Sequence, residues 1–169
     1  MKPMKPQMSQ FLNDSLLQVV VFSLKNESYA LPISQVREVL SLQEITPLPQ
    51  APSFIEGVIH VRGRIFAVID LRKRFNLGGE ETNPNTRIIV VRLSKALVGF
   101  IVDTVDEVLS ISKAAIQEAP EMAMATHHYF SGITKVENRL ILLLNASAIF
   151  SGKEENELAE VHAKEEIHG

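Results

Sequence analysis

Shifted by sixty-nine positions, the chain falls on itself. "VVVF" at 19–22 lands on "IIVV" at 88–91, Leu24 on Leu93, Ala30 on Gly99, Leu31 on Phe100 and Ile33 on Val102. The match continues without a gap, "VREVLSL" at 36–42 lying on "VDEVLSI" at 105–111. After a six-residue insertion, "FIEGVIHVRGRIFAVIDL" lies on "YFSGITKVENRLILLLNA", with Gly57 on Gly132, Arg64 on Arg139 and Asp70 on Asn145, and a little later Phe75 on Phe150. Chance likeness between alternating strands does not account for a shared glycine and an ungapped V-x-E-V-L-S. This is an internal duplication, with one supersecondary unit per copy. It divides the 169 residues into two units, 18–84 and 85–150.

Each unit reads as short strands. "LLQVVVFSL" and "SYALPI" flank Lys25-Asn26-Glu27, "GVIHV" and "RIFAVIDL" meet at Arg62-Gly63, "RIIVVRL" and "ALVGFIVD" flank Ser94-Lys95, and "GITKV" and "RLILLLN" flank Glu137-Asn138. The runs are too short and too rich in Val and Ile to favour helices. About five strands and no long helix are too few for a two-sheet sandwich, whereas a sheet closed on itself removes its own edges. The fold class is therefore all-β, two small barrels followed by a short C-terminal helix. A barrel of about sixty residues buries only ~60% of its unfolded surface, so the two gain by packing together.

The strands are also apolar on both faces, although a half-buried hairpin should alternate. One face fills its own barrel and part of the other lies against the sister barrel. What remains exposed is expected to form a patch that binds other proteins.

The ends differ from the middle. Residues 1–15, with "MKPMKPQMSQ", have little to bury and are expected to be a disordered lead-in. At 151–169 the glutamates leave only a thin apolar stripe, Leu158 and Val161. A docked start near Ala146–Phe150 and then a solvated, fraying acidic helix are expected. The cations of "LRKRF" at 71–75 read as a solvated turn beside Asp70 and "GGEE".

Composition narrows the function. There is no cysteine, no leader pattern and no stretch approaching the ~18 apolar residues of a membrane span, so a cytoplasmic protein without direct membrane insertion is expected. Small barrels can bind single-stranded nucleic acid through aromatics and a cationic groove, but this chain has no tryptophan, two tyrosines and a net charge of −3. Catalysis has no support either. No phosphate loop, nucleophile elbow or zinc spacing is present, the adjacent His127 and His128 diverge on any regular element, and His162 and His168 lie in the tail. Asp103, Asp106 and Glu107 read as turn caps. No enzyme, metal or cofactor is expected.

The segment "IEGVIHVRGRIFAVIDLRKRFNL" resembles the signature of the CheW family, the coupling proteins of bacterial chemotaxis, and "VVVFSLKNESYALPISQVREVL", "RIIVVRLSKALVGFIVDTVDEVLSI" and "YFSGITKVENRLILLLNASAIF" resemble the family's other segments in order, covering about 16–150. Two departures are His60 for the usual Asn and Asn145 where many members have Asp. The resemblance implies two five-stranded, SH3-like barrels with an apolar groove between them, and no catalysis. It implies two partners, the cytoplasmic tip of transmembrane chemoreceptors and the regulatory domain of the histidine kinase CheA, met in membrane-associated arrays. A paralogous adaptor of another chemosensory pathway, such as pilus-based motility, is the alternative. The resemblance places Arg62 in the receptor-facing region and makes Val36 a groove candidate; Gly57, Gly99 and Val105, the equivalent of Val36, are assigned with them to the receptor side, and Ile33, Glu38 and Leu40 to the kinase side. Against these stand plainer readings, core packing for Val36 and Val105 and close backbone approach for Gly57 and Gly99, with Gly63 supplying a positive φ in its turn. A charge at Gly57 is expected to weaken receptor binding without unfolding the chain.

Overall fold

The computed structural model describes residues 15–78, 81–118 and 129–168, with side chains through His162. The lead-in, apart from Ser15, and the His127-His128 pair lie outside the described residues. The strands are β1 (Leu16–Leu24), β2 (Glu27–Pro32), β3 (Val36–Ser41), β4 (Gly57–Val61), β5 (Arg64–Asp70), β6 (Arg87–Arg92), β7 (Leu97–Val102), β8 (Thr104–Ser112), β9 (Phe130–Val136) and β10 (Arg139–Leu144); the helices are α1 (Leu71–Arg74) and α2 (Gly152–His168). Three hairpins turn on residue pairs with positive φ, Lys25-Asn26 (50° and 69°), Arg62-Gly63 (51° and 79°) and Glu137-Asn138 (49° and 65°). That is the type I′ geometry whose twist matches the flanking strands.

The strands form two five-stranded sheets, ordered β8-β1-β2-β10-β9 and β3-β6-β7-β5-β4. The division into contiguous barrels at 18–84 and 85–150 is thereby corrected. Each sheet takes one hairpin from one copy and three strands from the other. The chain crosses over at the 3₁₀ turn Ile33–Gln35, after which β3 pairs with β6 instead of returning to β1.

The duplication survives in the pairing itself. Val21 opposes Ala30 as Val90 opposes Gly99, and Tyr29 lies beside Leu142 as Val98 lies beside Ala67. Even the irregularity recurs: Val36 and Glu38 pair with Val91 and Val90, and Val105 and Glu107 with Phe22 and Val21. Single bridges from Thr46 to Val58 and from Gln117 to Ile133 join the segment after β3 to β4 and the segment after β8 to β9. Each bridge links the two ends of a sheet order, so both sheets close into barrels.

The faces of the strands now separate. Val19, Val21, Ala30, Ile111, Ile141 and Leu143 fill one barrel, and Ile59, Phe66, Val68, Ile88, Val90 and Ile101 fill the other. The opposite faces of the same strands, including Phe22, Leu31, Ala67, Ile69, Ile89, Val91, Val98, Phe100 and Leu144, meet in a third and larger core between the barrels. This is why those runs do not alternate: they are buried on both sides. Phe75 of the first copy stacks on Tyr129 of the second at 5.5 Å, and Phe54 packs on Phe150 at 6.1 Å, so equivalent ring pairs tie the copies together twice.

Two further expectations are corrected. Helix α2 docks: Leu158 is wholly buried in the inter-barrel core, with Ala159 and Val161 packed at its edge. Ser151 and Glu154 form a reciprocal capping box, each backbone N–H donating to the other's side chain at 2.9 and 3.1 Å. Arg74 donates to Glu154 at 3.0 Å and to the Ile149 carbonyl at 2.8 Å, while its guanidinium lies 5.4 and 5.5 Å from the ring centres of Phe54 and Phe150. Burial alone would raise the Glu154 carboxyl, but hydrogen bonds from Arg74 and Ser151 outweigh it and hold it below its ordinary range.

Within "LRKRF", Lys73 faces solvent but Arg72 and Arg74 do not. Arg72 is 2% exposed and donates to both oxygens of Asp70 (3.0 and 2.9 Å), to Asp103 (2.9 Å) and to the Glu81 carbonyl (2.6 Å). Asp70 keeps a second task, capping α1 through the Arg72 N–H, and Asn145 performs the same cap toward the Ser147 N–H. Position 147 carries no cation, so the neutral amide at 145 suffices there.

Candidate functional site

Strands β3 and β8 are the equivalent first strands of the two sheet orders, and both carry V-x-E-V. On β3, Val36, Glu38 and Leu40 are half-buried while Arg37, Val39 and Ser41 face solvent. Val36 and Val105 both pack at the margin of the inter-barrel core. Just beyond the irregular pairing, Val39 is 41% exposed and its counterpart Val108 is 55% exposed. Each barrel thus offers an edge with a half-buried valine, a glutamate and an outward valine.

The glutamates are engaged alike. Arg62, at the tip of the β4–β5 hairpin, donates to both oxygens of Glu38 at 2.7 Å, and Arg139 at the start of β10 donates to Glu107 at 2.7 Å. Each pair spans the seam where its barrel closes. With the Arg62 side chain 74% exposed, such a pair contributes ~0–1 kcal/mol. The arrangement therefore brings together two residues assigned to different partners. It leaves the guanidinium open to a partner.

The structure separates the remaining candidates. Ile33 is 41% exposed and lines a shallow depression of about 430 Å³ with Leu16, Leu17, Gln18, Ser34 and Ser110. Leu40 packs instead at the margin of a barrel interior. Gly57 and Gly99 are buried. A Cβ on Gly57 would stand 2.5 Å from the Thr46 carbonyl oxygen and 2.7 Å from Ile45, and one on Gly99 would stand 2.9 Å from Ile88 and 3.4 Å from Val68. Both glycines face the chain's own barrel, so neither offers surface to a partner, and the expectation that Gly57→Asp spares the fold is corrected. Gly63 keeps its structural role, with φ of 79° and open space within 4 Å of where a Cβ would stand.

Sequence reasoning did not single out Val39, Val108, Leu16, Leu48 or Leu140, which with Ile33 are the large apolar side chains most exposed among the described residues. The signal for Val39 and Val108 was present, because period-two reading of β3 places Val39 beside Arg37 and Ser41. The turn-capping role expected of the acidic residues holds for Asp103, which accepts the Lys25 N–H at 2.7 Å, whereas Asp106, inside β8, accepts from the Ser23 and Thr104 hydroxyls and Glu107 from Arg139. Among the described residues no group of three or more His, Asp or Glu is placed to hold a metal ion, and no helix is long and apolar enough to cross a membrane.

Comparison with known proteins agrees with this geometry. A family model for the CheW-like domain matches residues 18–154. The chemotaxis protein CheW of Helicobacter pylori is 33% identical over 81% of this chain and 83% of its own, and that of Bacillus subtilis 36% identical over 78% and 85%. The solved scaffolding protein TtCheW of Thermoanaerobacter tengcongensis superposes with a TM-score of 0.74 at 38% identity, covering 80% of this chain and 88% of its own. Protein FrzA of Myxococcus xanthus is 33% identical over 70% of this chain and 75% of its own. The duplicated double barrel, its order of segments and these matches make the chain a member of the CheW family.

Proposed function

We propose that this protein is a noncatalytic adaptor that couples the cytoplasmic tips of transmembrane chemoreceptors to the regulatory domain of the kinase CheA, in the cytoplasm at membrane-associated arrays. The observation that carries the reading is the doubled edge, Val36-Glu38-Val39 on one barrel and Val105-Glu107-Val108 on the other. Docking surface on both barrels of a single core allows two partners to be held at once, with receptor-side Val36 and Val105 one on each edge and kinase-side Ile33 and Glu38 at and just before β3. Exposed valines supply desolvation, and Glu38 and Glu107 with their arginines supply charge complementarity and register. Among the candidates, Val36, Arg62 and Val105 remain assigned to the receptor side and Ile33 and Glu38 to the kinase side, with Leu40 acting by positioning β3. The action is positional. An adaptor that binds both partners shifts the kinase's conformational equilibrium only if its affinity differs between the two kinase states.

The test is separable binding. Ile33→Asp should weaken binding of the isolated kinase regulatory domain and spare a receptor cytoplasmic fragment, and Val36→Asp should do the reverse, with folded protein verified by circular dichroism. Equal loss of both partners, or of neither, contradicts the assignment. A second reading keeps the adaptor role but places it in another chemosensory circuit; the similarity to FrzA favours it, and binding to the kinase of that circuit in preference to CheA would establish it.

A further inference from the structure

The duplication permits each face of one barrel to be compared with its counterpart on the other. One such pair is covered on one side only. On the outer face of the β4–β5 hairpin, Val58, Ile65 and Ala67 are half-buried or buried, and helix α2 lies against β5 and β7 with Leu158 wholly enclosed and His162 Nδ1 3.3 Å from the Ile65 carbonyl oxygen. The equivalent face of β9–β10 carries Ile133, Leu140 and Leu142. Cross-strand pairs Leu140–Lys135 and Leu142–Ile133 place these side chains together on the outer surface. There Leu140 is 60% exposed, the most exposed large apolar side chain among the described residues.

The reason lies in the chain path. In the second copy, the residues after Phe150 become α2 and cross onto the β5 face. In the first copy, the residues after Phe75 must instead travel back to begin β6 at Arg87. Among the described residues, no equivalent of α2 therefore covers Leu140.

We propose that the outer face of the β9–β10 hairpin docks an acidic amphipathic helix of a partner protein. The internal precedent is α2, which carries Glu154, Glu155, Glu157 and Glu160 around its buried Leu158. The charge on the open face fits the same kind of helix: Lys135 stands beside Leu140 where His60 stands beside Ile65, and Arg139 precedes Leu140 as Arg64 precedes Ile65. Arg139 is shared with Glu107, so Lys135 is the principal contact for a partner carboxylate. Depth differs between the faces. Leu142 stands where Ala67 stands and Tyr29 where Val98 stands, so the open face carries larger side chains at the positions equivalent to those of the strands beside α2. The docked helix therefore presents a small residue where α2 presents leucine, and takes its affinity from the Leu140 end.

This inference does not rest on kinase or receptor coupling, and its test uses neither. The probe is a hydrocarbon-stapled peptide with the sequence of residues 152–168 carrying Leu158→Ala, titrated into the full-length protein and followed by fluorescence anisotropy and by amide chemical shifts. Shifts should centre on Ile133, Lys135 and Leu140. Leu140→Glu should raise Kd roughly tenfold or more, Lys135→Glu should weaken binding several-fold, and a peptide with its glutamates changed to lysine should bind less well than the parent, in line with the concentration of binding energy in a few anchors. Because Leu140 is exposed, both protein variants should melt as the parent does. Absence of binding, or binding undiminished by Leu140→Glu because the peptide merely exchanges with α2 on β5, overturns the proposal.

Discussion

Gly57→Ala tests whether the candidate glycines act through packing or through partner contact. The added methyl would stand 2.5 Å from the Thr46 carbonyl oxygen and 2.9 Å from the Thr46 carbonyl carbon, both backbone atoms, and 2.7 Å from the Ile45 Cγ2. Backbone cannot rotate aside as a side chain can. It is also held by reciprocal hydrogen bonds, Thr46 N–H to the Val58 carbonyl at 2.9 Å and Val58 N–H to the Thr46 carbonyl at 2.8 Å, which close the barrel. Relieving the clash requires this closure to open, so the cost belongs at the upper end of the usual overpacking range, about 3 kcal/mol. For a chain of 169 residues that corresponds to a fall in Tm of roughly 6–12 °C. Gly132→Ala repeats the experiment in the other barrel, where the methyl would meet Ile116 Cγ2 at 2.5 Å and the Gln117 carbonyl oxygen at 2.9 Å, and should cost a similar amount. Gly99→Ala should cost less, since its nearest neighbour is the Ile88 side chain at 2.9 Å. Urea or thermal unfolding followed by circular dichroism measures all three. Parental stability in Gly57→Ala, together with selective loss of receptor binding, would refute the packing account.

Other perturbations probe the shared core. Leu158→Ala removes a fully enclosed side chain of α2 and should lower stability by about 2–5 kcal/mol in the same unfolding assay; a change below ~1 kcal/mol would mean that the helix is not seated. Arg72→Ala leaves Asp70, 3% exposed, without its bidentate partner and should cost about 3–5 kcal/mol, while the double change Asp70→Asn with Arg72→Met should cost clearly less. A fragment spanning 18–84 should fail to show cooperative unfolding, because neither sheet can be completed from one copy; a cooperative transition in that fragment would contradict the exchanged topology.

Much of this architecture is legible in the residues. The repeat of V-x-E-V-L-S, the turn pairs Arg62-Gly63 and Glu137-Asn138, and the two-faced apolar strands together require two closed sheets pressed against each other. Which copy supplies each strand is not legible, because the duplication equalises the alternatives: Val19–Val21 and Ile88–Val90 offer β3 and β8 the same apolar pattern and register. Only the short path through Ile33–Gln35 selects the crossed pairing. Arg72 escapes sequence reading for a different reason. One of its carboxylates, Asp103, lies thirty-one residues away, so the burial of the charge depends on tertiary placement. Leu158 is similar, since one leucine among glutamates makes a weak stripe, yet it is wholly buried in the inter-barrel core that also holds Ala67 and Val98. At the site, Arg62 and Val36 follow from the family pattern and Val105 from the duplication, and these, like the kinase-side Ile33, stand at edges or surfaces. Gly57 and Gly99 carry the same pattern but are fixed by neighbours inside their own barrel, and a glycine in a sequence does not reveal which atoms approach it.

The central claim is that one interwoven core presents docking surfaces for two partners that can be occupied together. Its most direct measurement is the mass of the species formed when the full-length protein, a CheA regulatory domain and a chemoreceptor cytoplasmic fragment are combined, read by size-exclusion chromatography with light scattering. The account gives a complex containing all three components, reduced to the corresponding pairs by Ile33→Asp or Val36→Asp. Mutually exclusive binding, in which either partner displaces the other, would contradict it.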